Sequence, residues 1–333
     1  MHPPSYKTDS PHMDARLTAR LAAKREDLDR FRPLSRSVTT RLGESLRLLL
    51  TYHSNAIEGN TLSLRETQIV IEEGITVGGH PLREHLEATN HAQAYEYLVT
   101  LATQQEPITR GTILDLHRMI MTGIDDSAGR FRTGAVYIRG ARMTPPPASQ
   151  VDRLIDSWLE WTNGPGLDYS PLVRATVAHH DFEAIHPFFD GNGRTGRLLL
   201  NLMLMRDGWP PALLLRSWRV RYLSALDSAG SGRFNPLLNL IGRSVEGGLD
   251  LYLEACAASS HALSEPEEDY KPLSELASPS GYTASYLGWL VRQGRVEAVK
   301  RAGRLYSTER AIARYRHEVE DRAITRGRPR LNP

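Results

Sequence analysis

The sequence predicts an all-α protein: a helical core carrying one short β-hairpin, followed by a small helix-turn-helix module with a β wing. Three observations lead there. From Met13 to Ser259 apolar residues recur at helical spacing, with proline or glycine at the breaks. Alternating β-branched and aromatic residues gather in short stretches, around Gly140 and after Gly294. An acidic segment holding Pro266, Glu265 to Asp269, separates the long helical region from a basic C-terminal one.

A chain of 333 residues exceeds one small core. The pattern divides it into a disordered start (1–12), an N-terminal helical region (13–105), a core (106–262), a linker (263–271) and a C-terminal module (272–325). Net charge is +2, but from Arg292 to Arg330 twelve Arg and Lys face five Asp and Glu, so the remainder is net negative. Cys256 is the single cysteine, which rules out an intramolecular disulfide and fits a reducing, cytoplasmic setting. Met1 to Ser10 lacks the apolar stretch of a secretory signal, and the longest apolar run, Leu198 to Met205, is too short to span a bilayer. No membrane partner is expected.

Taken in order, Met13 to Arg30 reads as a helix ended by Arg32-Pro33, and Val38 to Ile57 as a second with Leu42, Leu46, Leu49 and Leu50 on one side. Ser54 and Glu58 share a face of that helix, and Gly59 holds its stop position. By itself this is a helix end with a solvated acid. A new helix starts at Asn60 to Leu64, and Gly74 to Pro81 is a loop. Helices follow at Leu86 to Gln104 and Thr109 to Met121, the latter with His117 as a packed core histidine. Val136-Tyr137-Ile138 and the residues up to Thr144 read as a hairpin turning at Gly140, ended by Pro145 to Pro147. Its open edge can receive an extended peptide as an added strand. Further helices are Gln150 to Thr162, Pro171 to Ala184, Arg219 to Leu226 and Phe234 to Ser259. His179 and His180 point to different faces of theirs and make no metal pair. In the module, helices at Pro272 to Ala277 and Ala284 to Gln293 flank a turn at Gly281. Gly294 to Arg301 with Arg304 to Ser307 forms the wing.

The stretch that carries chemistry is His186-Pro187-Phe188-Phe189-Asp190-Gly191-Asn192-Gly193-Arg194-Thr195-Gly196-Arg197. Gly191 and Gly193 let consecutive N–H groups turn inward, and the helix that follows adds its positive end, which together make an anion cradle. Arg194 and Arg197 lie three residues apart on the first helical turn, placed to grip phosphate oxygens. Asp190 is a hard oxygen ligand suited to Mg²⁺, and His186 is a general base near neutral pH. No Walker-type Gly-x-x-x-x-Gly-Lys-Ser/Thr occurs.

This run resembles the signature of the Fic family, HPFx(D/E)GNGRxxR, and matches it at every fixed position. Fic proteins are mostly adenylyltransferases that move AMP from ATP to a hydroxyl of a target protein. The resemblance implies a Fic helical core over 106–262, with ATP as substrate and Mg²⁺ or Mn²⁺ as cofactor. It makes His186 the base and Asp190 the metal ligand. Asn192 with the Gly191 and Gly193 amides becomes the anion hole, and Arg194 and Arg197 hold the β- and γ-phosphates, Thr195 and Gly196 lying between them. Ser54-x-x-x-Glu58-Gly59 resembles the family's inhibitory motif, (S/T)xxxE(G/N), which implies an inhibitory helix over about 38–60 whose Glu58 pairs with Arg197. The hairpin over about 134–145 takes the place of the family's flap, where a target protein docks and where Val136, Tyr137 and Ile138 touch nucleotide or target. Arg219 to Leu226 resembles the adenine-side helix, with Tyr222 against the purine, although Gly230 stands where a polar side chain is expected.

The family also contains homodimers, and enzymes that remove AMP or transfer other phosphate-containing groups, which the same cradle would serve. A reading from a different class is a DNA-binding regulator with a vestigial Fic core. The basic C-terminal module is similar to winged helix-turn-helix domains and fits either DNA phosphates or a protein surface.

Overall fold

The structure, a computed structural model, describes residues 11–138, 144–264, 270–301 and 303–325. The expected disorder of the first ten residues, the Gly140 turn and the acidic run at 265–269 lie outside the described residues. The chain forms two compact units, Met1–Ser259 and Ser260–Pro333.

The first unit holds ten helices among its described residues: α1 (Ala15–Asp29), α2 (Arg36–Glu58), α3 (Leu64–Glu73), α4 (Leu82–Gln104), α5 (Arg110–Met121), α6 (Val151–Asn163), α7 (Pro171–Ile185), α8 (Asn192–Arg206), α9 (Arg219–Gly230) and α10 (Asn235–Ser264). Their ends follow local chemistry. Asp14 accepts from the Leu17 N–H at the start of α1, and Ser63 and Glu66 close a capping box on α3. Gly59 ends α2 at φ 110, a left-handed value that suits glycine. The fourth helix begins at Leu82, one turn before the periodic apolar pattern at Leu86, because Pro81 sets an extended residue directly ahead of it.

Helices α7 and α8 form the central hairpin. From Arg194 to Leu204 every residue of α8 is buried, and the helix is surrounded by α2, α4, α5 and α7. Leu199 and Leu200 of α8 share one core with Phe182, Phe188 and Trp158, the Trp158 indole donating to the Ala178 carbonyl at 2.7 Å. Truncating such a ring costs about 3–5 kcal/mol, so the loop between α7 and α8 hangs from a stiff frame.

Of the hairpin expected over Val136 to Thr144, residues 139–143, its turn and most of its second arm, lie outside the described residues. Residues 131–138 and 144–147 are in no strand, and Val136, Tyr137 and Ile138 have no ladder partner among the described residues. The described residues on either side of that stretch are held by a side chain, Arg132, which donates to the Gly134 and Pro146 carbonyls.

The second unit contains α11 (Leu273–Ser280), α12 (Ala284–Arg292) and α13 (Glu309–Thr325), with β1 (Lys271–Pro272), β2 (Val299–Arg301) and β3 (Arg304–Ser307). The strands form an antiparallel sheet in the order β1-β3-β2. The turn between α11 and α12 passes through Gly281 at φ 75. Leu273, Leu276, Leu287, Leu290, Val296, Ile312 and Tyr315 make a separate small core. Strand β2 covers only the end of the Gly294 to Arg301 stretch and β3 the whole of Arg304 to Ser307, whereas β1 and α13 were absent from the sequence reading. Among the described residues no helix is long and apolar enough to cross a membrane.

Candidate active site

The loop from α7 to α8 begins with a backbone exception. His186 ends α7 at φ 49, a left-handed conformation rare for a residue other than glycine, and its N–H closes on the Phe182 carbonyl at 3.0 Å. The Nδ1 atom lies 3.3 Å from the Glu183 carbonyl. A carbonyl only accepts, so Nδ1 carries the proton and Nε2 presents its lone pair. Burial, reinforced by the Arg132 charge, lowers the pKa of His186 and keeps the ring neutral near pH 7.

Three groups brace the loop from behind. The Asn192 amide turns back onto Phe188, accepting its N–H at 2.9 Å and donating to its carbonyl at 2.9 Å. Both ends of the Asn192 side-chain amide are thus used within the loop. His117 stacks flat on Phe188 at 3.5 Å, accepts the Gly129 N–H at Nδ1 and donates from Nε2 to the Asp190 carbonyl at 3.0 Å. It is the packed histidine expected, its pKa pushed down to about 4 chiefly by burial. Arg132, 3% exposed, donates to the carbonyls of His186 (2.8 Å), Gly134 (2.9 Å) and Pro146, so one guanidinium ties both arms of the 134–147 segment to the loop. Sequence reasoning missed this residue.

At the start of α8, Gly191 sits at φ 79 and gives its N–H to Asp190 Oδ1 at 2.6 Å. The Thr195 hydroxyl folds onto the Gly191 carbonyl at 2.9 Å. Gly196 is glycine because a Cβ there would fall 2.3 Å from Glu183 Oε1. Burial disfavours the Asp190 carboxylate, but Arg194, the Gly191 N–H and Arg83 outweigh it and hold the pKa below the usual carboxylate range. Arg194, 2% exposed, lies 3.4 Å from Asp190 Oδ1 and 3.1 Å from Glu87. Arg83 pairs with Asp190 Oδ2 and, at 3.2 Å, with Glu87. Neither Arg83 nor Glu87 was singled out in the sequence.

Arg197 is 4% exposed and faces α2. Its Nε donates to the Ser54 hydroxyl at 3.0 Å, and its Nη2 donates to the Ser54 carbonyl at 2.9 Å and to Glu58 Oε1 at 2.7 Å. The Glu58 carboxylate also lies over the first turn of α8: a Cβ on Gly193 would meet Glu58 Oε1 at 2.2 Å. Glu183 sits nearby, its Oε1 buried without a hydrogen-bond partner. Burial and the Glu58 charge push its pKa up to about 8 despite Arg197, so it is neutral near pH 7. Tyr222 is buried, hydrogen-bonded to His179 Nε2 at 2.7 Å and stacked on that ring. It belongs to the wall behind Arg197, which corrects its placement against an adenine. Tyr137, by contrast, is 88% exposed.

His186, Asp190, Arg194 and Arg197 thus gather with Ser54 and Glu58 around the positive end of α8. The arrangement can hold a polyphosphate on backbone amides and guanidinium groups beside a neutral base. Among the described residues no three His, Cys, Asp or Glu side chains are placed to hold a metal ion. The single half-exposed, ionised Asp190 fits a Mg²⁺ that keeps most of its waters and leans on phosphate.

Residues 107–204 match the model of the Fic/DOC family. The protein adenylyltransferase fic-1 of Caenorhabditis elegans is 36% identical over 237 residues, which is 70% of this chain and 46% of that protein. The protein adenylyltransferase Fic of Aedes aegypti is 34% identical over 253 residues, 75% of this chain and 50% of that protein. The chain therefore spans about half the length of the curated relatives it matches. Among solved structures, Fic-1 of C. elegans (residues 134–508) superposes with a TM-score of 0.66 at 33% identity, covering 74% of each chain. A Fic domain containing signaling protein of Bacteroides thetaiotaomicron shares the fold, with a TM-score of 0.66 at 24% identity over 72% of this chain and 98% of that one. By sequence, fold and the loop that joins α7 to α8, this chain belongs to the Fic/DOC family.

Proposed function

We propose that the protein transfers AMP from ATP to a serine, threonine or tyrosine hydroxyl of a target protein, and that Glu58 holds this activity down. The observation that carries the reading is the neutral His186, its Nε2 lone pair unclaimed among the described residues, beside a helix start whose Arg197 is occupied by Glu58. Relatives that carry the name protein adenylyltransferase support it.

The target hydroxyl attacks the α-phosphorus of ATP while its proton passes to His186 Nε2. The new O–P bond forms as the bond to the bridging oxygen breaks, and pyrophosphate leaves. The Gly193 amide with Arg194 and Arg197 binds the developing charge, the Gly191 N–H being taken by Asp190 Oδ1 in this structure. Asp190 would hold Mg²⁺ or Mn²⁺, which supplies charge neutralisation for the polyphosphate when bound. The Glu58 carboxylate takes the guanidinium that the terminal phosphate needs and competes with it directly. The target would dock along 134–147, where Tyr137 stands almost fully in solvent. The single cysteine supports a reducing, cytoplasmic setting.

The test is AMP incorporation from labelled ATP into the protein itself and into a lysate, comparing wild type, Glu58→Gly and Glu58→Gly/His186→Ala. Strong labelling by the single variant, weak labelling by wild type and none by the double variant is expected. Equal silence in all three folded proteins would sink the transferase reading. A Glu58-dependent loss of AMP from pre-labelled protein would replace it with AMP removal.

For the second unit, we propose contact with duplex DNA. Ser285, Trp289 and Arg292 share the exposed face of α12, and Arg295, Lys300 and Arg304 are exposed on the segment and wing that follow. Fluorescence anisotropy on a duplex at rising salt tests it. Binding that weakens steeply with salt and drops in Arg292→Ala/Lys300→Ala is expected, and no binding at low salt removes the proposal.

A further inference from the structure

Arg83, Asp190, Arg194 and Glu87 form a closed ring in which cations and anions alternate. Arg83 touches Asp190 and Glu87, and Arg194 lies 3.1 Å from Glu87 and 3.4 Å from Asp190. Two positive and two negative groups leave it neutral. Its inner half is fixed, because the side chains of Arg194 and Glu87 are 2% and 10% exposed. The outer half is not, because those of Arg83 and Asp190 are 53% and 43% exposed.

The two oxygens of Asp190 are used differently. Oδ1 accepts the Gly191 N–H and faces Arg194. Oδ2 is covered by Arg83. Oδ2 is therefore the oxygen through which Asp190 can reach a metal ion, and a guanidinium lies across it. We infer that Arg83 is a stand-in cation: it occupies the metal-facing oxygen of Asp190 in the resting protein and must swing away before a divalent ion binds there. This rests on the reading of Asp190 as the metal-holding residue. The exchange is physically cheap, since a half-exposed ion pair contributes little and Arg83 carries its own charge into solvent. A divalent ion bound with Arg83 still in place would have two guanidinium groups beside it, so metal and Arg83 exclude each other. Arg83 is thus a second check on the site, separate from Glu58, which acts on Arg197 at the other side of the helix start.

The experiment is Mn²⁺ titration of the full chain, free Mn²⁺ being read by its electron paramagnetic resonance signal, for wild type, Arg83→Gln and Asp190→Asn without nucleotide. Arg83 is exposed, so its variant should keep the wild-type melting temperature. Removing the competitor should tighten Mn²⁺ binding by about fivefold or more, and Asp190→Asn should abolish the site. Equal or weaker binding by Arg83→Gln, or no uptake by it in the millimolar range, overturns the inference while leaving Asp190 as the ligand where Asp190→Asn still loses the ion. Binding unchanged in all three proteins instead removes the metal assignment of Asp190, and this inference with it.

Discussion

Glu58→Gln separates two effects that the Arg197 contact ties together. Gln keeps the size of the side chain and an acceptor oxygen but takes away the countercharge of a guanidinium that is 4% exposed. Breaking a fully buried pair from one side costs about 3–5 kcal/mol. Here the Glu58 side chain is 39% exposed, and Ser54 keeps two hydrogen bonds on the same guanidinium. Water and Ser54 together reduce the expected loss to about 1–2 kcal/mol. For a unit of this size that lowers the melting temperature by about 2–6 °C. The same charge becomes available to a phosphate, so ATP affinity should rise by about 5–30-fold. Both are measured in a His186→Ala background, where nucleotide is not consumed, by thermal melting without ATP and by calorimetric titration with it. Lower stability joined to tighter ATP binding is the signature of a competing carboxylate. An unchanged melting temperature with unchanged or weaker ATP binding would refute the competition.

Three further outcomes follow from the geometry. Gly193→Ala puts a methyl group where the Glu58 carboxylate lies, 2.2 Å from Oε1 and 3.0 Å from Arg197 Nη1. Its melting temperature should fall as in Glu58→Gln, but ATP should fail to restore it; full restoration would mean that phosphate does not use this space. Arg132→Ala frees both arms of the 134–147 segment and should cost about 3 kcal/mol, with faster hydrogen exchange at 134–138 and 185–187; exchange confined to the site of substitution would argue against the brace. Acid should destabilise the fold between about pH 6.5 and pH 4. His91 and His179 are pushed down to about 3 and His53 and His117 to about 4, chiefly by burial, so the unfolded chain binds protons that the native one refuses and stability falls as pH drops through this window. Glu183, raised to about 8 from 4.5, works the other way: its contribution is full below 4.5 and is lost as pH rises through 8. Melting curves from pH 6.5 to 4.5, where four histidines act against the single Glu183, read the net slope, and a melting temperature that rises as pH falls through that window would contradict the histidine assignments.

What was legible in the sequence was whatever is local. The candidate cradle could be read because its imidazole, carboxylate, glycines and guanidinium groups lie within twelve consecutive residues, 186–197. The helices could be read from apolar spacing, and Gly59 as a helix stop from its own chemistry. What stayed hidden depends on pairs far apart in the chain. Arg83 and Asp190 are 107 residues apart, and Arg132 and His186 are 54 apart. An arginine among 41 basic residues gives no local sign of such a partner. Alternation at Val136-Tyr137-Ile138 reports side-chain type, whereas the Arg132 guanidinium that holds Gly134 and Pro146 gave no local sign. Tyr222 misled because an aromatic on a helix gives no sign of which side faces the ligand, and its hydroxyl had a buried histidine to satisfy.

The left-handed His186 has a consequence for how such a protein tolerates change. A helix end at φ 49 suits glycine or asparagine, and a β-carbon there costs on the order of 1 kcal/mol. Replacing the histidine by glycine would therefore relax the chain at the position where the proposed chemistry needs an imidazole. A screen that rewards heat resistance alone would drift toward losing it. Stability and the imidazole pull in opposite directions at this one backbone position, and a stabilised variant of the protein would have to gain its margin elsewhere.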